Sequence, residues 1–274
     1  MLDNKALLFS DCHMHTSFSG DSETPPEEMI KRAIDLGLPH ICITDHEDHE
    51  YAYEGVEFTF DTKEYFRVLQ DLREKYKSRI SIGIGVEIGL EPQWGPYYDN
   101  YVKSEAFDFV IGSVHLIGGA DPYDGTIFEN KRDEEVYRQT FIETLKDIQV
   151  THDFDVLGHM DYVVRYGANR EQDYSYKKFA DEIEEILKFL IHQGKGLELN
   201  TAGFKYGLPF AHPLPDILKR YRELGGEIIT IGADAHKPDH IAYDFQKVKG
   251  ILQDCGFKYY TEFWERKPVF KQVL

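Results

Sequence analysis

At 274 residues with 42% hydrophobic and 14% aromatic side chains, the chain carries enough apolar surface for a sizeable core, which excludes the composition of intrinsic disorder. Its formal net charge of −18 excludes a nucleic-acid surface built from clustered Lys and Arg, though bound cations can still reverse the local field for a small phosphate ester. No apolar run approaches the roughly 18 residues of a membrane span and nothing suggests export, so a cytoplasmic protein without a membrane partner is expected.

The first apolar, strand-like run covers residues 6–12. A helix start follows, with Thr24 as N-cap, Pro25 at the first helical position and Glu27 closing a capping box. Further strand-like runs cover residues 40–44, 79–89, 108–115 and 155–158. Ile183, Ile186, Leu187 and Leu190 then recur at helical spacing before Gly194, which reads as a C-cap. A run at 196–200, a second amphipathic stretch of Ile217, Leu218, Tyr221 and Leu224 before Gly225, and a run at 227–232 complete the pattern. Seven strands alternating with helices predict an α/β fold with a parallel sheet, closed as a barrel or open and doubly wound. With no linker and no repeat of solenoid length, residues 1–274 are expected to form one domain. Of the three cysteines, Cys12, Cys42 and Cys255, two sit inside apolar runs, where a reduced thiol packs as a small hydrophobe.

The informative feature is where the metal-binding residue types fall. His13 and His15 follow the first strand, His46 the second, Glu87 lies near the end of the third, His115 ends the fourth, His159 follows the fifth, and Asp234 with His236 follow the seventh. In a parallel β/α sheet the C-terminal strand ends share one side, where sites are assembled from several strands. Residues i and i+2 of an extended segment face the same way, so His13 with His15, and Asp234 with His236, can each present two side chains to one cluster. Imidazole with carboxylate suits zinc, iron or manganese, and the lack of a thiolate group points to an open catalytic site rather than a closed structural one. His40, His49, His152, His192 and His240 lack that context and read as structural or surface residues, while His212, in a loop after the sixth strand that could reach the site, is left open between a structural and a site role.

The motifs that carry these residues resemble the polymerase and histidinol phosphatase (PHP) superfamily, in its histidinol-phosphatase branch. They are Asp-Cys-His-Met-His at 11–15, Ser-Gly-Asp-Ser at 19–22, Ile-Thr-Asp-His at 43–46, Val-Glu-Ile at 86–88 and Ser-Val-His at 113–115. Gly-His-Met-Asp at 158–161, Leu-Glu-Leu-Asn-Thr at 197–201 and Gly-Ala-Asp-Ala-His at 232–236 continue the series in family order. The resemblance implies a distorted (β/α)7 barrel of PHP type and a centre of three divalent ions, zinc, iron or manganese. His13, His15, Glu87 and Asp234 would hold one ion, Glu87, His115 and His159 a second, and Asp21, His46 and His236 a third. Asp21 enters this set from the family pattern alone.

Hydrolysis of L-histidinol phosphate in histidine biosynthesis is the implied reaction, with a water acidified between two ions bridged by Glu87 as the nucleophile. Arg165, in Arg-Tyr-Gly six residues past His159, is the first choice for a phosphate clamp, because guanidinium matches phosphate bidentately. Lys205 is the second choice, in a loop where the branch often has arginine. Ser113 is placed to donate to the ester. Asp161 is a candidate acid for the leaving alkoxide, or a partner that orients a ligand histidine. Glu47 and Asp48 are candidates to meet the substrate amine. The alternatives are a related enzyme acting on another small phosphate ester, such as a nucleotide or sugar phosphate, and a metal-binding module without catalysis.

Overall fold

The alternation read from the sequence is realised as a curled parallel sheet, in a computed structural model that describes residues 9–273. The strands are β1 (His40–Ile43), β2 (His46–Glu47), β3 (Ala52–Tyr53), β4 (Val56–Glu57), β5 (Ser81–Gly89), β6 (Phe109–Ser113), β7 (Val156–Leu157), β8 (Gly196–Asn200), β9 (Ile229–Gly232), β10 (Tyr259–Trp264) and β11 (Lys267–Gln272). The helices are α1 (Pro26–Leu36), α2 (Thr62–Tyr76), α3 (Gly95–Tyr101), α4 (Asp133–Val150), α5 (Ala180–His192), α6 (Ala202–Lys205), α7 (Pro215–Glu223) and α8 (Val248–Asp254). The main sheet runs β1-β5-β6-β7-β8-β9, with β2 also paired to β5. Parallel neighbours require crossovers, and α2, α4, α5 and α7 supply them.

Part of the first expected strand, residues 6–8, lies outside the described residues. Residues 9–15 that follow are extended and span the gap between the sheet's two edges. Cys42 N–H donates to Asp11 O (3.0 Å) on one side, and Cys12 N–H donates to Ile231 O (2.8 Å) on the other. The carboxylate of Asp11 fastens this seam by accepting from Ala233 N (3.0 Å) and Ala242 N (2.9 Å). With this segment the ring has seven members.

Helix α1 begins differently from the sequence expectation. Pro25 is the N-cap and no side chain caps the helix, because Thr24 instead turns its hydroxyl to the carbonyl of His236 (3.3 Å), where Ser22 also donates (2.9 Å). Gly194 and Gly225, with φ of 68° and 101°, follow α5 and α7 in the left-handed conformation that glycine permits. Ile183, Ile186, Leu187 and Leu190 are all fully buried, each contributing about 1.5–3 kcal/mol relative to exposure. Among the described residues, no helix is long and apolar enough to cross a membrane.

The hairpin β10–β11, which the sequence reading did not contain, covers the N-terminal ends of the strands. Phe263 stacks on Phe109 (5.1 Å), Tyr260 meets Phe9 edge-on (5.4 Å), and His40 is buried against Trp264 (4.8 Å). At the opposite end two glycines make room for function. A Cβ at Gly158 would collide with Ser113 Oγ, and one at Gly232 would collide with the Glu198 carboxylate and His13 Cβ.

Candidate metal centre

Glu87 is fully buried near the end of β5, and its carboxylate is the hub of the site. Oε2 faces His13 Nε2 (3.1 Å), His15 Nε2 (3.4 Å) and His46 Nδ1 (3.3 Å). Oε1 faces His159 Nε2 (2.9 Å) and His115 Nε2 (3.3 Å), and accepts from Ser113 Oγ (2.6 Å). The strand register produces this convergence directly, since β2 and β5 pair His46 with Glu87. Asp234 Oδ1 stands 3.4 Å from His15 and 3.9 Å from His13. On the outer side, Asp21 Oδ2 faces His236 Nε2 (2.8 Å) and His46 Nε2 (3.8 Å). All nine residues singled out as ligands are therefore gathered at one end of the barrel. They fall into overlapping groups whose ligand atoms lie within 4.8 Å of one another. Rather than belonging to one group, His46 faces Glu87 with one ring nitrogen and Asp21 with the other, and its ring stacks on His15 (4.2 Å).

The chemistry of these atoms fits metal ions. His13 Nδ1 bonds Glu198 (2.6 Å), His115 Nδ1 bonds Asp48 (2.7 Å), and His236 Nδ1 bonds the carbonyl of Asp234 (3.2 Å). His15 Nδ1 bonds Ser19 Oγ (3.0 Å), whose own proton goes to Asp45 (2.7 Å). Each of these four rings therefore spends its Nδ1–H outward and turns an Nε2 lone pair inward, toward other lone pairs. His13 Nε2 and His15 Nε2 are only 3.1 Å apart. Such acceptors repel unless a cation lies among them. Four tetrahedral ligands at zinc distances stand about 3.4 Å apart, close to the 3.1, 3.1, 3.4, 3.4 and 3.9 Å separations among His13, His15, Glu87 and Asp234.

Without a cation, the site balances its charge with protons. Burial opposes ionisation of Glu87, but positive charge on the surrounding imidazoles, His13 foremost with His46 and His115, holds its carboxyl well below the usual carboxylate range; a bound cation would take over that role with the rings neutral. Asp234 is likewise held low against burial, chiefly by His13. Its backbone is left-handed, with φ of 52°, and Lys205 Nζ fixes that kink by donating to the Asp234 carbonyl (2.7 Å).

Several roles expected from the sequence are altered by these contacts. Lys205 spends its ammonium on the carbonyls of Asp234 and Ala233 and does not line the cavity over the cluster; burial pushes its pKa down. Ser113 donates to Glu87, so its proton is not free for an ester. Asp161 is fully buried, and its carboxylate accepts from His212 Nδ1 (2.6 Å), Tyr174 OH (2.8 Å) and Leu214 N (2.8 Å); it organises the loop after β8 and lies outside the cavity. Glu47 accepts from Tyr97 OH (2.7 Å) beneath the rim, and burial raises its pKa to about 7.

The cavity above the cluster encloses about 500 Å³. Arg165 enters it from the segment after β7, stacked against Tyr206 (4.2 Å), Tyr166 (4.8 Å) and Tyr162 (5.2 Å). Its Nε is buried without a hydrogen-bond partner, and it takes part in no ion pair among the described residues. A guanidinium caged by aromatic faces and lacking a carboxylate is a ready anion site.

Two carboxylates orient the ligands: Asp48, expected from the sequence to meet the substrate amine but committed here to an imidazole, and Glu198, to which the sequence assigned no role. Asp48 holds His115, and Glu198 holds His13 while its second oxygen accepts from His159 N (3.0 Å) and Asn200 Nδ2 (3.1 Å). A glutamate in the apolar run of β8 was itself a signal, because a buried charge needs partners. Glu198→Gln is expected to weaken metal affinity about 10- to 100-fold with the fold retained, measured by competition titration with a chromogenic chelator.

The family profile for the PHP domain matches residues 11–202. The chain is 34% identical over 249 residues to the histidinol-phosphatase of Lactococcus lactis subsp. lactis, spanning 90% of this chain and 91% of that one. It is 35% identical over 257 residues to a probable histidinol-phosphatase of Clostridium acetobutylicum, spanning 94% and 97%. The crystal structure of the L. lactis histidinol phosphate phosphatase with zinc, L-histidinol and phosphate superposes with a TM-score of 0.88 at 32% identity, covering 95% of this chain and 98% of that chain.

Proposed function

Because the chain belongs to the PHP domain family, we propose that it is a histidinol-phosphatase, a metal-dependent phosphomonoesterase that hydrolyses L-histidinol phosphate to L-histidinol and phosphate in histidine biosynthesis. The carrying observation is the juxtaposition, in one cavity, of inward-facing imidazole lone pairs around Glu87 and an aromatic-caged Arg165 that pairs with no carboxylate among the described residues. His13, His15, Asp21, His46, Glu87, His115, His159, Asp234 and His236 would hold zinc, iron or manganese. Bound ions supply an acidified water and neutralise phosphoryl charge.

The chain's own residues do the rest. Arg165 receives phosphoryl oxygens and stabilises their charge, where most of the catalysis of phosphoryl transfer lies. Ser113 orients Glu87, Glu198 and Asp48 orient two imidazoles, and Lys205 fixes the backbone that presents Asp234. This reading treats residues 1–274 as one domain. The nearly complete mutual coverage with the L. lactis enzyme supports the substrate assignment within the family.

The test is a panel of phosphate esters turned over by the metal-loaded enzyme. Histidinol phosphate is expected to exceed nucleotide, sugar and aryl phosphates in kcat/KM by more than about tenfold, the scale of a few favourable contacts. A smaller margin removes the specific assignment while leaving the phosphatase. Bound metal with no turnover of any ester removes both.

A further inference from the structure

We propose that Asp121 is the ammonium-binding residue of the cavity and the group by which this enzyme selects an aminated phosphate ester. The inference rests on the phosphatase reading and names a part of the site which that reading leaves open. A phosphomonoester of an amino alcohol carries opposite charges at its two ends. With its phosphoryl group at the histidine cluster and Arg165, the remainder meets the rest of the cavity lining. That lining is built by the hairpin β3–β4 with its flanks, and by the turn at 121–123, which adjoins the aromatic cage of Arg165 through Tyr123 and Tyr166.

Among the carboxylates lining the cavity, Asp21, Glu87 and Asp234 face the histidines directly and Asp48 is committed to His115. Asp121 and Glu54 remain. Glu54 is exposed at the tip of the hairpin, whereas Asp121 is partly buried and its direction is fixed. Tyr123 N–H donates to Oδ1 (2.8 Å), and Tyr51 OH donates to Oδ2 (2.8 Å).

Capping of the short turn Pro122–Asp124 accounts for the first of these bonds. It accounts neither for the second, which comes from a tyrosine 70 positions earlier, nor for the placement of the carboxylate on the cavity wall. Two hydrogen bonds leave an ionised carboxylate with lone pairs free for an ammonium, and a preorganised acceptor loses little entropy on binding one. The nearby rings suit the same ligand: Tyr53 and Tyr123 meet edge to face (5.9 Å), as do Tyr123 and Tyr166 (6.3 Å). Aromatic faces attract an ammonium and stack with an imidazole. Asp121 and Arg165 both line the cavity without pairing with each other, so each charge is available to one end of a zwitterionic ester.

The experiment compares kcat/KM for L-histidinol phosphate with that for the analogue in which hydrogen replaces the amino group, on metal-loaded enzyme. The wild type is expected to favour the aminated ester by roughly 10- to 100-fold, the scale of a charged hydrogen bond. In Asp121→Asn, which keeps the shape, that ratio is expected to collapse toward one, mainly through KM for the aminated ester. Tyr51→Phe keeps the charge and loosens its orientation, so the ratio should fall by a few fold; this variant carries the test if Asp121→Asn does not fold. A ratio unchanged in both variants, or an equal loss on both esters, overturns the assignment. A wild-type ratio near one overturns it with the phosphatase reading intact, whereas a wild type that hydrolyses neither ester but does hydrolyse another overturns the histidinol reading and this proposal together.

Discussion

Arg165→Ala is expected to lower turnover of phosphate esters by about 10²–10³-fold, the cost of removing one preorganised donor to a charge-bearing oxygen, while metal content stays at the wild-type level. The guanidinium touches no ligand residue in the contacts that define its position. Its neighbours are the rings of Tyr162, Tyr166 and Tyr206, which accept nothing as strongly as a phosphate would. Truncation therefore removes a charge without opening the histidine cluster. Arg165→Lys should recover only part of the loss, because an ammonium offers a point charge in place of a planar fork. Steady-state kinetics on histidinol phosphate and an aryl phosphate, paired with metal analysis of the same samples, checks the result. A fully active alanine variant, or one that has lost its metal, would remove the proposed clamp.

The sequence carried the site better than it carried the surroundings. His13 and His15 were legible because period-two geometry on an extended segment is reliable, and residues 9–15 are extended. Asp234 and His236 also reach the cluster, but for a different reason: the left-handed backbone at Asp234 turns the chain, and Lys205 and His236 hold its carbonyl. Position at a strand end identified residue types but not their use. Ser113, Lys205 and Asp161 lie where expected along the chain, and partners invisible to spacing consume their polar groups. The hairpin β10–β11 escaped for want of a turn signal. Its tip uses Glu265 and Arg266 at positive φ of 48° and 63°, where Asn-Gly would have announced it. The wall that carries Asp121 was hidden for a similar reason, since loops read as polar and solvated until a structure shows which side chain is turned inward.

Glu87→Gln is expected to have the largest effect on the centre itself, with loss of bound metal and a fall in turnover of at least about 10³-fold, equivalent to several kcal/mol of charge stabilisation. Five imidazoles, those of His13, His15, His46, His115 and His159, face its two oxygens at 2.9–3.4 Å. An amide keeps the volume but replaces one acceptor oxygen with an NH₂ donor and removes the negative charge on which the cluster centres. On one side the amide nitrogen can satisfy an imidazole lone pair by hydrogen bonding, which relieves the repulsion that a cation would otherwise relieve. The substitution thus stabilises the metal-free arrangement as it weakens the metal-bound one. Two measurements separate this account from simple misfolding. Metal stoichiometry should fall by at least one ion per chain, and the rise in melting temperature that added metal gives the wild type should shrink in the variant. A Glu87→Gln variant that keeps full stoichiometry and the full metal-dependent rise in melting temperature would show that the carboxylate is not the hub of the centre.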